Sequence, residues 1–167
     1  VMLGEFSRQL NRGYQQFVGA VRQVADGLGS TYRLDGKTDV LRRALRAMQG
    51  VAGRRVEFAL IGLADNAQNR AVKADYLNKL QDVERAAEAV GAGQLAQAAR
   101  GITQAVDEFA RTAARAYGTR GGAAGGEAAG GELGGSLESQ IASNALSLQE
   151  SLTVFDVAYF AAQGDSA

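Results

Sequence analysis

The chain has 167 residues, enough for one domain with a buried core, and 46% of them are hydrophobic, which argues against wholesale disorder. It contains no cysteine, histidine, proline or tryptophan, so disulfides, the usual zinc and copper ligands, and Ser-His-Asp or Cys-His nucleophiles are all excluded. Eighteen basic and eighteen acidic residues cancel, so no bulk field draws the whole chain to nucleic acid or to a membrane.

Apolar residues recur in steps of three and four almost throughout, the signature of amphipathic helices. Leu3, Phe6, Leu10, Tyr14, Phe17, Val21, Val24 and Leu28 form the first stripe, which Gly27 and Gly29 end. Residues 29–37 read as a loop, with Asp35-Gly36 as a turn signal. Thr38 and Asp39 are the expected caps of a second helix, because a short side-chain oxygen can accept the free amide hydrogens of a first turn.

The second stripe is Leu41, Leu45, Met48, Ala52, Val56, Ala59 and Leu63. Gly50, Gly53 and Gly62 interrupt it at about 1 kcal/mol each relative to alanine, which close helix contacts would offset. Residues 65–69 fit either a turn or an exposed helical face. Val72, Tyr76, Leu80, Val83, Ala87 and Val90 form a third stripe, broken by Gly91-Ala92-Gly93. Leu95, Ala98, Ile102, Val106, Phe109, Ala113 and Ala116 form a fourth.

Residues 118–135 include nine glycines and read as a flexible linker between a helical body, residues 1–117, and a C-terminal helix over 136–167 capped by Ser136. The stripe of this last helix is Leu137, Ile141, Ala145, Leu148, Leu152, Phe155 and Tyr159, close to a heptad seam. Val154, Val157 and Phe160 lie off the seam, more apolar surface than one partner helix needs. Its polar face, including Ser143, Asn144, Ser147 and Gln149, is nearly uncharged, as expected of a helix enclosed on several sides. The fold expected is therefore all-α: an elongated antiparallel bundle of four to five helices, with a Gly-rich linker before the last. No apolar run approaches the roughly 20 residues that would span a bilayer.

Charge divides along the chain. Residues 1–120 hold all 18 basic residues and 12 acids, a net of +6; residues 121–167 hold six acids and no base. Such asymmetry suggests that the two parts meet. The last helix could fold back on its own body or dock on another copy, and its neutral face tips the reading toward contact between copies. Leu137, Ile141, Leu148, Leu152, Phe155, Asp156, Tyr159 and Phe160 are then the expected self-association residues. If buried, Asp156 should meet an arginine, since an unpaired buried carboxylate is costly.

Two other patterns are weaker. Thr31 to Thr38 ends in the Gly-Lys-Thr of a phosphate-binding loop, but its leading glycine is missing and a helix, not a strand, precedes it. Arg42, Arg43, Arg46, Arg54 and Arg55 form a basic patch that could grip phosphates or acidic lipid, or bind the acidic tail. No aromatics interleave with these arginines, which disfavours nucleic acid; membrane-surface contact stays open. The carboxylates Asp82 and Glu84, and Asp107 and Glu108, do not share a helix face, so no acid–base site is expected.

The missing cysteine, tryptophan and proline, with helices at both ends, make the composition similar to that of flagellin-type exported filament subunits. The similarity is one of composition, without a motif, so no residue is carried over; it implies an extracellular or cell-surface setting ahead of a cytoplasmic one. The expectation is a non-enzymatic structural subunit, without cofactor or metal, whose helices pack between copies into an oligomer or filament. The alternative is a monomeric adaptor that recognises a protein, acidic lipid or nucleic acid through its arginine-rich helix.

Overall fold

A computed structural model describes the backbone of residues 2–52, 67–117 and 123–165, and the side chains of residues 8–50, 71, 73–108 and 143–164. Outside the helices the only other ordered feature among them is an isolated bridge between Leu28 and Tyr32. The described residues form five helices, in order α1 (Met2–Gly27), α2 (Gly36–Ala52), α3 (Ala67–Val90), α4 (Gly93–Tyr117) and α5 (Ala123–Asp165).

Among the described residues each helix buries most of the stripe its sequence carries. Tyr14, Phe17, Val21, Val24 and Leu28 from α1 and its end meet Leu41, Leu45 and Met48 of α2 in one core. Tyr76, Leu80 and Val83 of α3, Leu95, Ile102 and Val106 of α4, and Leu148, Leu152, Phe155 and Tyr159 of α5 complete it. Burial of these side chains, worth about 1.5–3 kcal/mol each, is the main term holding short-range helices into one body. Inside this core the hydroxyls of Tyr14 and Tyr76 hydrogen-bond to each other across α1 and α3, so neither ring buries a bare polar end.

The helices pack in a ring. α1 lies against α4 and α5, α4 against α3, α3 against α2, and α2 in turn against α5. Ion pairs fix the sense of α3 and α4 as antiparallel: Arg100 meets Glu84 and Glu88, and Lys73 meets Asp107. Five helices cannot alternate in direction all the way round a closed ring, and the parallel neighbours are α1 and α5. Gly29, just past α1, stands against Ala162 near the end of α5, while Arg46 of α2 pairs with Asp156, so α5 runs with α1 and against α2.

Several helix ends differ from the sequence expectation. The cap of α2 is Asp35, not Thr38 or Asp39. Its carboxylate accepts the amide hydrogens of Lys37 and Thr38, at 2.9 and 3.2 Å, while the Asp35 amide donates to the Thr38 hydroxyl at 2.9 Å. This is a reciprocal capping box in which Thr38 supplies the returning acceptor. Asp39 sits one turn inside and pairs with Arg42 and Arg43. At the end of α3, Gly91 adopts φ 82°, and the amides of Gly91 and Ala92 return to the carbonyls of Glu88 and Ala87, a Schellman closure. Gly50 lies on the exposed side of α2, and a methyl there would meet no described residue within 4 Å, so the close contact expected is not seen among them. Gly53, Gly62, Asp65 and Asn66 lie outside the described residues, while Ala67, Gln68 and Asn69 form the first turn of α3.

The last helix is longer than the sequence suggests. It begins at Ala123 and so takes in most of the segment read as a linker, rather than starting at Ser136. Ala123, Ala124, Glu127, Ala128, Ala129, Glu132 and Leu133 are all strong helix formers set among the glycines, and no proline interrupts them.

Candidate functional surface: the outer face of the last helix

α5 has two apolar faces. The inner one, Leu148, Leu152, Phe155 and Tyr159, is buried between α1 and α2. The outer one carries Leu146, Val154, Val157 and Phe160, exposed by 57%, 39%, 65% and 55%. At about 100° per residue these four fall within an arc of roughly 120°, a face as wide as the stripe of an ordinary amphipathic helix. Only one other large hydrophobic among the described residues is exposed, Val40 on α2. Scattered surface hydrophobics are normal, but a cluster on one face is a sign of contact. The exposed residues interleaved with it, Ser147, Glu150 and Thr153, bring a single charge, that of Glu150.

The residues expected to self-associate therefore divide. Leu148, Leu152, Phe155 and Tyr159 are occupied inside their own chain, Phe160 faces outward, and the side chains of Leu137 and Ile141 lie outside the described residues. The polar face is not enclosed by this chain: Ser143, Ser147 and Gln149 are exposed and only Asn144 is buried. Its Nδ2 has no hydrogen-bond partner, an uncompensated donor inside the bundle.

Asp156 is buried and forms an ion pair with Arg46 of α2. The carboxylate is 13% exposed and the guanidinium side chain 53%, so the pair sits at the margin of the core with its cationic half in water. One turn further along α5, the Arg42 guanidinium packs over the rings of Tyr159 and Phe160, 5.2 and 5.5 Å from their centroids. The two rings meet edge to face at 5.5 Å. Arg42 thereby holds Phe160 in place at the border between the buried and exposed apolar faces.

The described part of the basic patch on α2 is already ion-paired. Arg42 and Arg43 are paired with Asp39, Arg46 with Asp156, and Arg54 and Arg55 lie outside the described residues. The acidic tail and the arginine helix do meet, through Arg46 and Asp156, within one chain. Three of the cations that lack an ion pair among the described residues lie on α1. Arg8, Arg12 and Arg22 are exposed on one outer stripe, interspersed with Gln15, Gln16 and Gln23. Sequence reasoning passed over this stripe, although arginines at 8, 12 and 22 with no acid between them were there to be read.

Nothing resembling a phosphate loop survives at Thr31–Thr38. The Asp35 carboxylate occupies the amides that would face a phosphate, and the Thr38 hydroxyl is buried in the cap. Elsewhere Asp82 pairs with Arg85, Glu84 and Glu88 with Arg100, and Asp107 with Lys73. The hydrogen bond and charge of Glu84 raise the pKa of Arg100. Among the described residues no group of carboxylates could hold a metal ion, and no helix is long and apolar enough to cross a membrane.

The class that emerges is a helical bundle whose distinguishing surface is an apolar helix face. Compared with protein-family models, curated proteins and solved structures, the chain matches none.

Proposed function

We propose that this chain is a non-enzymatic assembly subunit that associates with copies of itself through the outer face of α5. The single observation that supports the reading is the clustering of Leu146, Val154, Val157 and Phe160 on one exposed face of a helix whose opposite face is already buried. A helix that is apolar on two sides serves two packing partners. Its own bundle supplies one, and a neighbouring molecule supplies the other. Apolar burial provides the affinity, and the surrounding charges set orientation. The placement fits structural proteins whose subunits must fold before they assemble, because the core-forming face does not have to be exposed for assembly to occur.

Sedimentation velocity over a wide concentration range tests this. Wild-type protein is expected to shift to larger species as concentration rises, and Val157→Glu with Phe160→Ser to remain monomeric and folded. A wild-type protein that stays monomeric at millimolar concentration overturns the reading.

A second reading, a monomeric module for an acidic partner, draws on Arg8, Arg12 and Arg22 of α1, exposed and without an ion pair among the described residues, rather than on the α2 cluster. Salt-sensitive binding to phosphatidylserine vesicles, lost when these three become glutamine, would favour it over self-assembly.

A further inference from the structure

The outer face of α5 does not specify by its apolarity alone whether copies pair or grow into a chain. The charges around it do. Glu150 is exposed on that face and Arg22 on α1, and among the described residues neither has an ion-pair partner. Two opposite charges without partners in their own chain, one within the apolar strip and one beside it, are the elements of a self-complementary contact.

Their positions can be read from contacts already described. Gly13 of α1 faces Ile102 of α4; Arg22, nine residues on, points to the opposite side of α1 and so borders α5. Gly29 stands against Ala162, and α1 and α5 run in the same sense, so Arg22 lies near the level of Phe155. On α5, Asp156 marks the side toward α2. Glu150 sits about 120° round from it and about 120° from Ala162, which faces the end of α1, so it stands at the middle of the outer face, and the long Arg22 side chain of another copy must reach in to meet it.

We infer that two copies pair through α5 in an antiparallel, two-fold contact centred near Thr153, with Glu150 of each copy meeting Arg22 of the other. This rests on the self-assembly reading and gives it a closed form. Centring on Thr153 sets Leu146 of one copy against Phe160 of the other, twice, so each apolar end of the strip covers its counterpart. The same register carries Glu150 to the level of Asp156, beside which Arg22 stands. A two-fold axis perpendicular to both helices keeps the α1 side of one copy against the α1 side of the other, as the two reciprocal ion pairs require. The strip from Leu146 to Phe160 is about 21 Å long, so the contact is small and the pair correspondingly weak.

The experiment is a charge-reversal cycle read by sedimentation equilibrium, with circular dichroism to verify folding. Glu150→Arg and Arg22→Glu are each expected to raise the dimer dissociation constant by at least about tenfold, since each sets like charges together, and the double variant to restore it. The protein has no cysteine, so Thr153→Cys gives a second readout. It should form a disulfide-linked dimer readily on oxidation, whereas Ser143→Cys, far from the two-fold axis, should not. A dimer indifferent to both reversals, or one in which Ser143→Cys links and Thr153→Cys does not, overturns this arrangement and leaves self-assembly standing. Open-ended growth with concentration also overturns it. A strict monomer overturns both.

Discussion

Removing either member of the Arg46–Asp156 pair should not cost the same, and the difference follows from where each half sits. The Asp156 carboxylate is 13% exposed and lies in the buried part of α5, beside Phe155 and Val157 in sequence, whereas the Arg46 side chain is 53% exposed. Arg46→Met leaves an anion largely withdrawn from water without its cation. Breaking a buried pair this way typically costs about 3–5 kcal/mol, and the residual exposure of the carboxylate places this case near about 2–3 kcal/mol. Asp156→Asn leaves a guanidinium that water can solvate and an amide of the same shape that can still accept a hydrogen bond. Its cost should be about 1 kcal/mol or less. The double variant Arg46→Met with Asp156→Asn should then be more stable than Arg46→Met alone by about 1 kcal/mol or more, because the orphaned charge is gone. Urea melts followed at 222 nm give the three values, provided the slope with denaturant is unchanged. Equal costs for the two single changes, or a greater cost for Asp156→Asn, would refute the view that α5 carries its carboxylate into a low-dielectric margin against α2.

Three other expectations follow from the packing. Asn144→Leu keeps the heavy-atom shape while removing the unpartnered buried Nδ2, so it should stabilise the fold by about 1–2 kcal/mol, seen as a higher denaturation midpoint; a loss of stability would mean that the amide has a partner in solution. Phe155→Ala should cost about 3–5 kcal/mol, because the ring is 1% exposed inside the ring of helices, and a loss below 1 kcal/mol would show that α5 is not part of the core. Gly29→Ala should destabilise by about 1–2 kcal/mol in thermal melts, since the position has φ 85° and a methyl there would come within 3.2 Å of Ala162; an unchanged midpoint would argue against α5 seating on this turn.

The core was legible in the sequence because burial follows helical periodicity. Phe17, Leu41, Leu80, Ile102 and Phe155 all sit inside as their stripes require. Local chemistry was less so. Asp35 reads equally as a turn residue and as a helix cap, since both roles use the same short carboxylate to accept nearby amides, and only the backbone shows which is served. The glycine-rich stretch before α5 illustrates a different limit: composition marked it as a linker, while the interspersed alanines and glutamates continue the helix back to Ala123. The requirement that a buried Asp156 find an arginine was visible, yet which arginine depended on the register of α5 against α2, a tertiary property. The excess of apolar residues on α5 was likewise plain. Its separation into an occupied face and an open one became visible only when α1 and α2 were found around Phe155 and Tyr159.

The account turns on α5 being seated in its own bundle, so that only its outer face is left for another molecule. Amide hydrogen exchange measured at successive dilutions tests this most directly. Residues 148–159 should keep strong protection at the lowest concentration, where every molecule is a monomer, with a free energy of opening close to that of global unfolding. If their protection instead falls away on dilution and returns only as copies associate, α5 is held by its neighbours rather than by its own chain, and the account is wrong.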